Sequence, residues 1–496
     1  MKVLSFLKNS SLLLVLATTP VFSQKYEISI ELKSGNDTVI LGHYFAKSDL
    51  MISDTIAILT NGKGVIRGNK KLANGLYFIF NDRKTFDIII GDNQQFSIVA
   101  DTADFIRLTK FTSSPENDVF YGFRRYKSDL DKQVRQLNEQ FQNVTADADR
   151  NAIRTQLQTL YGEYIEYIEK LADDNSNLYV SKFLRTLVPP ETHLPESPTD
   201  ADGNVTDREF AYRWYRAHYF DNLNIFDPDM LRTQFYEDKV TDFMTRVIPQ
   251  HPDTICAEAD KILAKAKANE EIFRCILVSL FNYYVKSNVM VHENVWVHLA
   301  DKWYIPYATW STDDYIESLK KEVTNKQPNL IGKQAPPIEM LMALPPEHFK
   351  AAAMDTAIKF DLHAGVMMQD FRKELKSKYT VLLFWDYSCG HCKETIQELF
   401  EIWEELKDKY LQIITVQTVI SIDAKGKWID LVNEHQYFGW INAWSPYSYK
   451  YKELYDISSV PQIYMLDENG DIMLKRLVPE QIKDIIDKEY VTNINQ

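Results

Sequence analysis

Hydrophobic and polar residues alternate with a period of two from Tyr26 to about Ala103. Tyr26, Ile28, Ile30 and Leu32 alternate with polar neighbours, and the pattern resumes at Val39–Leu41, Thr55–Leu59, Leu76–Phe80, Phe86–Ile90 and Phe96–Val99. Successive side chains of a strand point to opposite faces, so this alternation, rich in β-branched and aromatic residues, predicts strands with one buried face. Asn61-Gly62, between Thr55–Leu59 and Val65-Ile66, supplies the two residue types that tolerate the positive φ of a two-residue hairpin turn. The expected domain over residues 24–112 is an antiparallel β-sandwich.

The rhythm changes at Ser113-Ser114-Pro115-Glu116, where Ser at a cap position and Pro at the first helical position mark a helix start. Phe123, Tyr126, Leu130, Val134, Leu137 and Phe141 recur every three or four residues, and Ile153, Leu157, Leu160, Tyr164, Ile168 and Leu171 repeat the spacing. Two long amphipathic helices in an antiparallel hairpin follow. An acidic, proline-bearing stretch from Val188 to Val205 reads as a surface loop. Further helical segments are expected at about 207–219, 228–248, 254–267, 269–286, 293–303 and 312–324. This makes residues 113–327 a central all-α domain, in which no chemical motif is apparent.

Toward the C-terminus a continuous apolar run, Val381 to Trp385, predicts a strand buried on both faces. Cys392, Ile396, Leu399 and Trp403 then share one face of a helix, and Leu411 to Val416 supplies a second strand, completing a βαβ unit. Residues 328–496 are therefore expected to form a third, α/β domain.

Composition narrows the classes. Of 496 residues 45% are hydrophobic and 25% charged, with only 16 Gly and 18 Pro, which excludes a disordered or collagen-like chain. Lys and Arg total 56 against 70 Asp and Glu, a net charge of −14, so no nucleic-acid partner is expected. Aromatic residues at helical spacing, such as Phe281-Asn282-Tyr283-Tyr284, read as core. The ten His residues lack the spacing of a zinc site, and neither metal nor cofactor is expected.

Lys2 and Lys8 precede the apolar stretch Leu12 to Ala17, and a small-residue site ends at Val21-Phe22-Ser23. These are the three parts of a secretory signal, so residues 1–23 are read as a signal peptide cleaved near Ser23, with an uncleaved anchor as the alternative. The first cysteine, Cys256, is far from that junction, which argues against a lipidated N-terminus. No other run reaches 18 apolar residues, so the expected product is an exported periplasmic or cell-envelope protein without an integral membrane span.

The four cysteines are too few for a disulfide scaffold, so cysteine chemistry must be local. Two of them form Cys389-Gly390-His391-Cys392, at the point where a strand ends and a helix begins. A helix N-terminus offers unpaired backbone N–H groups and a positive dipole end, and the thiolate is the reacting form of a cysteine. Cys389 is thus the expected exposed nucleophile. Cys392, one turn deeper and within disulfide distance, is placed to resolve a mixed disulfide. A protonated His391 would stabilise the Cys389 thiolate and make the couple more oxidising. A zinc site would need a second cysteine pair, but Cys256 and Cys275 are too far apart and more than 100 residues upstream. A purely structural disulfide would close too small a loop to add much stability. Cys256 and Cys275 themselves read as free thiols, the second in an apolar run, with a Cys256–Cys275 bridge as the alternative if their helices are antiparallel.

The set of Phe384-Trp385, Cys389-Gly390-His391-Cys392-Lys393 and Val460-Pro461 resembles the thioredoxin fold of the bacterial TlpA/ResA-like thiol-disulfide oxidoreductases. That resemblance covers about 328–496 and implies a cis Pro461 that faces the CxxC and, with Val460, presents backbone to the substrate chain. It also implies a redox-active Cys389–Cys392 disulfide, with Gly390, His391, Trp385 and Asp386 around it. Asp467-Glu468-Asn469-Gly470 with Asp471 to Val478 fits the family's terminal hairpin, Gln481 to Tyr490 its last helix, and Gly332 to Pro337 its lead-in. The upstream β and helical regions resemble, more loosely, multidomain envelope thioredoxins. Two positions depart from the pattern: Leu383 stands where thioredoxin has a buried Asp, and Thr395 where many relatives have Glu. Glu394 and Glu398 point to solvent by helical phase, leaving Asp386 as the alternative proton acceptor for Cys392.

The expected function is an exported thiol-disulfide oxidoreductase acting on protein thiols and disulfides of the cell envelope, reset by a redox partner. The reductase and isomerase directions both remain open. Two other classes compete. One is an envelope binding or scaffold protein with a slow thioredoxin domain, which a reactive Cys389 would argue against. The other is a thiol peroxidase, which would lack a CxxC partner.

Overall fold

The computed structural model describes residues 26–33, 35–343, 365–368, 370–407, 410–435, 437, 439–445 and 450–494. The candidate signal segment at Lys2–Ser23 lies outside the described residues. The chain divides into two units: the residues up to Val247 with Ala266–Cys275, and Ile248–Lys265 with the residues from Ile276 onward.

In the first unit the alternating segments become β1 (Tyr26–Lys33), β2 (Thr38–Phe45), β3 (Lys47–Ile58), β4 (Lys63–Gly68), β5 (Gly75–Asn81), β6 (Lys84–Ile90), β7 (Gln95–Asp101) and a short β8 (Lys110–Thr112). They form two four-stranded sheets, ordered β4-β1-β7-β8 and β3-β2-β5-β6. Ile28 and Ile30 of β1, Leu41 of β2, Ile79 of β5 and Ile88 of β6 are buried in one shared core, so the expected sandwich forms. Its pairings are antiparallel except β1 with β7, which run parallel. The intervening strands provide the long crossover that a parallel pair needs.

Asn61 and Gly62 adopt φ of 53° and 75°, and Thr60 and Lys63 exchange backbone hydrogen bonds across the turn. Its two arms nevertheless part into opposite sheets. β3 finds its ladder on β2 and β4 finds its own on β1, so the turn sits at a corner of the sandwich.

Helices α1 (Pro115–Asn143) and α2 (Asp147–Asp174) form the expected hairpin, with Tyr126 stacked on Tyr167 at 3.9 Å between ring centroids. Ser114 is the N-cap residue and Pro115 opens the helix. Buried Asn117 ties α1 to the sandwich: its amide accepts from Ile89 N and donates to Ile89 O, each at 2.8 Å, as a neighbouring strand would. Two more helices follow, α3 (Tyr179–Arg185) and α4 (Phe210–His218).

The single helix expected over 228–248 is instead a 3-10 turn at Pro228–Arg232, α5 (Tyr236–Asp242) and a π-turn at Phe243–Val247. The reason is a contact distant in sequence. Ala46 donates its N–H to Leu231 O and accepts from Glu237 N, inserting between the two turns, while buried Thr233 turns its hydroxyl back to Met230 O.

The remaining helical expectations become α6 (Pro252–Ala266), α7 (Glu270–Val285), α8 (His292–Leu299) continued by a π-turn at Ala300–Tyr304, and α9 (Asp313–Lys326). The second unit then builds a mixed sheet from β9 (Met340–Ala343), β10 (Gly365–Met368), β11 (Tyr379–Trp385), β12 (Leu411–Gln417), β13 (Ile441–Trp444), β14 (Gln462–Leu466) and β15 (Ile472–Lys475), in the order β10-β9-β13-β12-β11-β14-β15. β11, β12 and β13 are parallel, and β14 and β15 are antiparallel. β11 is central and buried along its whole length, as the apolar run predicts.

The crossover helices α10 (Gly390–Leu406) and α11 (Ile422–Glu434) join β11 to β12 and β12 to β13. With α13 (Pro479–Ile494) they cover the face presenting Val381, Leu383 and Trp385. The short α12 (Lys450–Leu454) and the lead-in residues Ala335 and Ile338 cover the opposite face, presenting Leu382 and Phe384.

The end of β15 is anchored by charge. Lys475 is only 1% exposed; its Nζ lies 2.9 Å from Glu293 Oε2 and donates to the carbonyl and side-chain oxygens of Asn329. Lys326 reaches the other Glu293 oxygen at 3.2 Å and also pairs with Asp456. Burial would push the Glu293 carboxyl up, but Lys475, Lys326 and Arg476 hold it below the usual carboxylate range. A depressed carboxyl contributes stability that is present at neutral pH and lost as pH falls through its folded-state value. Glu293→Gln leaves Lys475 buried without its counter-charge and should cost about 3 kcal/mol. Denaturant unfolding at pH 7 checks this: a variant within about 0.5 kcal/mol of the parent would show that Lys475 does not depend on the Glu293 charge.

Candidate functional site

β11 ends at Trp385, whose carbonyl takes the last bonds of its parallel ladder. The backbone N–H and the hydroxyl of Thr418, from the segment after β12, both donate to Trp385 O at 2.9 Å. The chain then turns. Asp386 accepts from the Ser388 N–H and hydroxyl, each at 2.7 Å, and its carbonyl accepts from Cys389 N at 3.1 Å. An acidic side chain bonded to the backbone two residues on is a compact turn, and it delivers Cys389 to the N-cap of α10 in an extended conformation, φ −83° and ψ 124°.

From there the helical period sorts the side chains as expected. Cys392, Ile396, Leu399 and Trp403 are buried, while His391, Glu394 and Glu398 are exposed. Cys389 is half-buried against the core and Cys392 is fully buried within it. Both are free thiols in this structure and their side chains interact. Burial pushes the Cys392 thiol up to about 12, and the neighbouring Cys389 and Asp386 reinforce the shift; the Asp386 backbone N–H, bonded to this sulfur, works against it. The surroundings of Cys392 therefore disfavour its thiolate.

The remaining candidates occupy the same end of the sheet. The Val460–Pro461 peptide is cis. β14 pairs with β11 through Gln462 opposite Phe384, which sets half-buried Val460 and Pro461 beside the exit of β11. Trp385 is fully buried. A side chain on Gly390 would meet open space. His391 projects outward with its Nδ1 3.3 Å from Glu394 Oε2, the two side chains 88% and 74% exposed. Asp386 acts electrostatically on Cys392, although its carboxylate is engaged by Ser388.

Sequence reasoning missed Thr418, Gln417 and Trp428, which close the core beside this end. One signal was available: Thr415 and Gln417 are polar residues in a strand whose other interior positions are apolar. Among the described residues, no group of three His, Cys, Asp or Glu side chains is placed to hold a metal.

A family model described as thioredoxin-like matches residues 377–472. This segment is a thioredoxin-like domain. Two domain families of unknown function match upstream, DUF4369 over residues 26–120 and DUF5106 over 152–334. No curated protein matches the chain.

Among solved structures, a thioredoxin-like protein from Bacteroides caccae is 19% identical with a TM-score of 0.37, over 59% of this chain and 96% of that one. A domain of a possible thiol-disulfide isomerase from Cytophaga hutchinsonii is 24% identical with a TM-score of 0.25, over 34% and 97% of the two chains. A putative thiol:disulfide interchange protein DsbE from Chlorobium tepidum is 16% identical with a TM-score of 0.24, over 33% and 96%.

The two cysteines of the thioredoxin-like domain should separate cleanly in alkylation. In the reduced protein at pH 7.5, site-resolved mass spectrometry should find iodoacetamide on Cys389 well before Cys392. In a Cys389→Ser variant, labelling of Cys392 should rise steadily as pH increases toward 12, since only the thiolate reacts. Faster labelling of Cys392 at neutral pH would reverse the assignment.

Proposed function

We propose that the chain is an exported thiol-disulfide oxidoreductase that exchanges disulfides with cell-envelope proteins through Cys389 and Cys392. The observation that carries this reading is the unequal burial of the two sulfurs across one helical turn: Cys389 half-buried at the N-cap and Cys392 at 0% exposure behind it. An accessible sulfur attacks first, and a sheltered one reacts only with the mixed disulfide formed beside it.

In the reducing direction, Cys389 attacks a substrate disulfide, releasing one substrate thiol. Cys392 then attacks the Cys389 sulfur and releases the second, leaving Cys389–Cys392 oxidised. Reduction and isomerisation share the first step and differ in whether the second occurs on the same substrate. Val460 and Pro461 are proposed to present backbone to the substrate chain, and His391 to favour the Cys389 thiolate when protonated. The accompanying organisation is a β-sandwich at 24–112, a helical domain at 113–327 and the redox domain at 328–496, resembling TlpA/ResA-like proteins. A cleaved signal peptide ending near Ser23 would carry the chain to the periplasm or envelope. Among the described residues no helix is long and apolar enough to cross a membrane.

Trapping tests the assignment. A Cys392→Ser chain mixed with a disulfide-bonded protein such as insulin should accumulate covalent adducts at Cys389 that dithiothreitol releases, whereas Cys389→Ser should accumulate none. Insulin reduction by the wild type should fall at least 100-fold in either variant. Equal reduction by wild type and Cys389→Ser would refute the proposal.

A further inference from the structure

The second unit holds a cavity of about 570 Å³ whose lining includes neither Cys389 nor Cys392. That volume falls in the range of about 300 to 1,000 Å³ typical of small-molecule sites. Residues of α7, α8 and α9 form most of its wall, and Lys475 and Arg476, at the end of β15, contribute to its polar side. Phe281, Tyr284, Trp296 and Leu319 are buried and give it an apolar surface. Val285, Val289 and Tyr315 line it too, and each is 45% or more exposed. Large apolar side chains exposed singly are ordinary, but a group of them around a cavity marks a surface that takes an apolar ligand.

The polar side carries charge that the protein does not neutralise. The ion pairs of Glu293 continue to Arg476, whose Nη2 lies 2.8 Å from Asp456 Oδ2 and 4.0 Å from Glu293 Oε1. The connected network therefore sets Lys326, Lys475 and Arg476 against Glu293 and Asp456, which leaves one positive charge. Glu322 also lines the cavity, but it is exposed and makes no ion pair among the described residues. Burial pushes the Lys475 ammonium down; Glu293 opposes the shift, and the neighbouring Arg476 and Lys326 add to it. The cations crowd one another.

The three are not equally committed. Lys475 directs its ammonium at Glu293 Oε2 and the two oxygens of Asn329, which uses all three of its donors. Lys326 is shared between Asp456 and Glu293. Arg476 gives one of its five donors to Asp456, and its side chain is 51% exposed. A planar guanidinium can grip a carboxylate through two parallel hydrogen bonds, where an ammonium offers a point charge. A cationic ligand would add to the surplus, and a neutral apolar one would leave it unanswered.

We propose that this cavity binds a small carboxylic acid as its anion, with the head group on Arg476 and Lys326 and an apolar or aromatic body against Phe281, Tyr284, Trp296 and Leu319. The site goes beyond the redox reading and requires neither cysteine. Arg476 supplies the directional contact, and the buried side chains supply the area that an apolar body removes from water.

Isothermal titration of the full chain tests this with 3-phenylpropanoate and octanoate, each set against its neutral alcohol, 3-phenylpropanol or octanol. At low ionic strength each acid should bind one site per chain at least about ten-fold more tightly than its alcohol. Added NaCl should narrow the difference, since the head group meets a partly exposed guanidinium. Arg476→Gln should weaken binding of both acids about ten-fold. Leu319→Trp, which fills the apolar end, should abolish it; if that variant does not fold, Arg476→Gln decides the matter.

Acid and alcohol of equal affinity, no binding of either acid at millimolar concentration, or acid binding unchanged in Arg476→Gln would each overturn the proposal. N-acetyl-glycyl-phenylalanine binding far more tightly than 3-phenylpropanoate would assign the head group to a peptide terminus and overturn the small-molecule ligand.

Discussion

The carbonyl of Trp385 is the point on which the reactive end of this chain turns. Up to that residue β11 is a fully buried central strand, paired with β12 on one side and β14 on the other. Both donors of Thr418 converge on the carbonyl as the last bonds of that ladder. The chain must then leave the sheet, and the Asp386–Ser388 turn leaves it only three residues before α10 begins with Cys389 as its cap. Because the helix starts there, its first turn sets Cys389 at the surface and Cys392 in the core. The inequality between the two sulfurs is thus a consequence of where one strand is stopped.

A reactive end built at the mouth of a sheet needs a sheet that does not shift. The opposite side of β11 is held by β14 and β15, and β15 ends in Lys475, whose buried ammonium is satisfied by Glu293 and Asn329. Desolvating this pair is expensive, and its net contribution is smaller than the loss incurred on breaking it. Its geometric effect is specific, since an ammonium with several fixed acceptors has one satisfactory position. The lead-in segment adds a second fastening, with Gly332 N and Ala335 N donating to carbonyls of Ile472 and Gly470. Both fastenings lie within the unit that carries the cysteines.

Much of this was legible in the sequence because it follows from periodicity. Two-residue alternation located β1 to β7, and the apolar run at Val381–Trp385 identified the central strand. The spacing Cys392, Ile396, Leu399, Trp403 separated the inner face of α10 from the outer. What periodicity could not reveal was long-range pairing. The Asn61-Gly62 turn was visible, but the capture of its arms by different sheets depends on β1 and β2. The break in the 228–248 segment depends on Ala46, nearly 190 residues upstream. Gln417 and Trp428 looked like ordinary strand and helix residues until the register set Gln417 beside Trp385. Their burial is a property of the assembled core and of no local segment.

Cys389 and Cys392 are proposed to form one redox couple whose sulfurs exchange between dithiol and disulfide. Its most direct measurement is an equilibrium titration of the full chain in glutathione buffers of graded potential, with the state of each cysteine read by mass after acid quenching. Cys389 and Cys392 should convert together in a single two-electron transition, with a midpoint between about −270 and −120 mV. Cysteines that oxidise independently, or that stay reduced across that whole range, would contradict it.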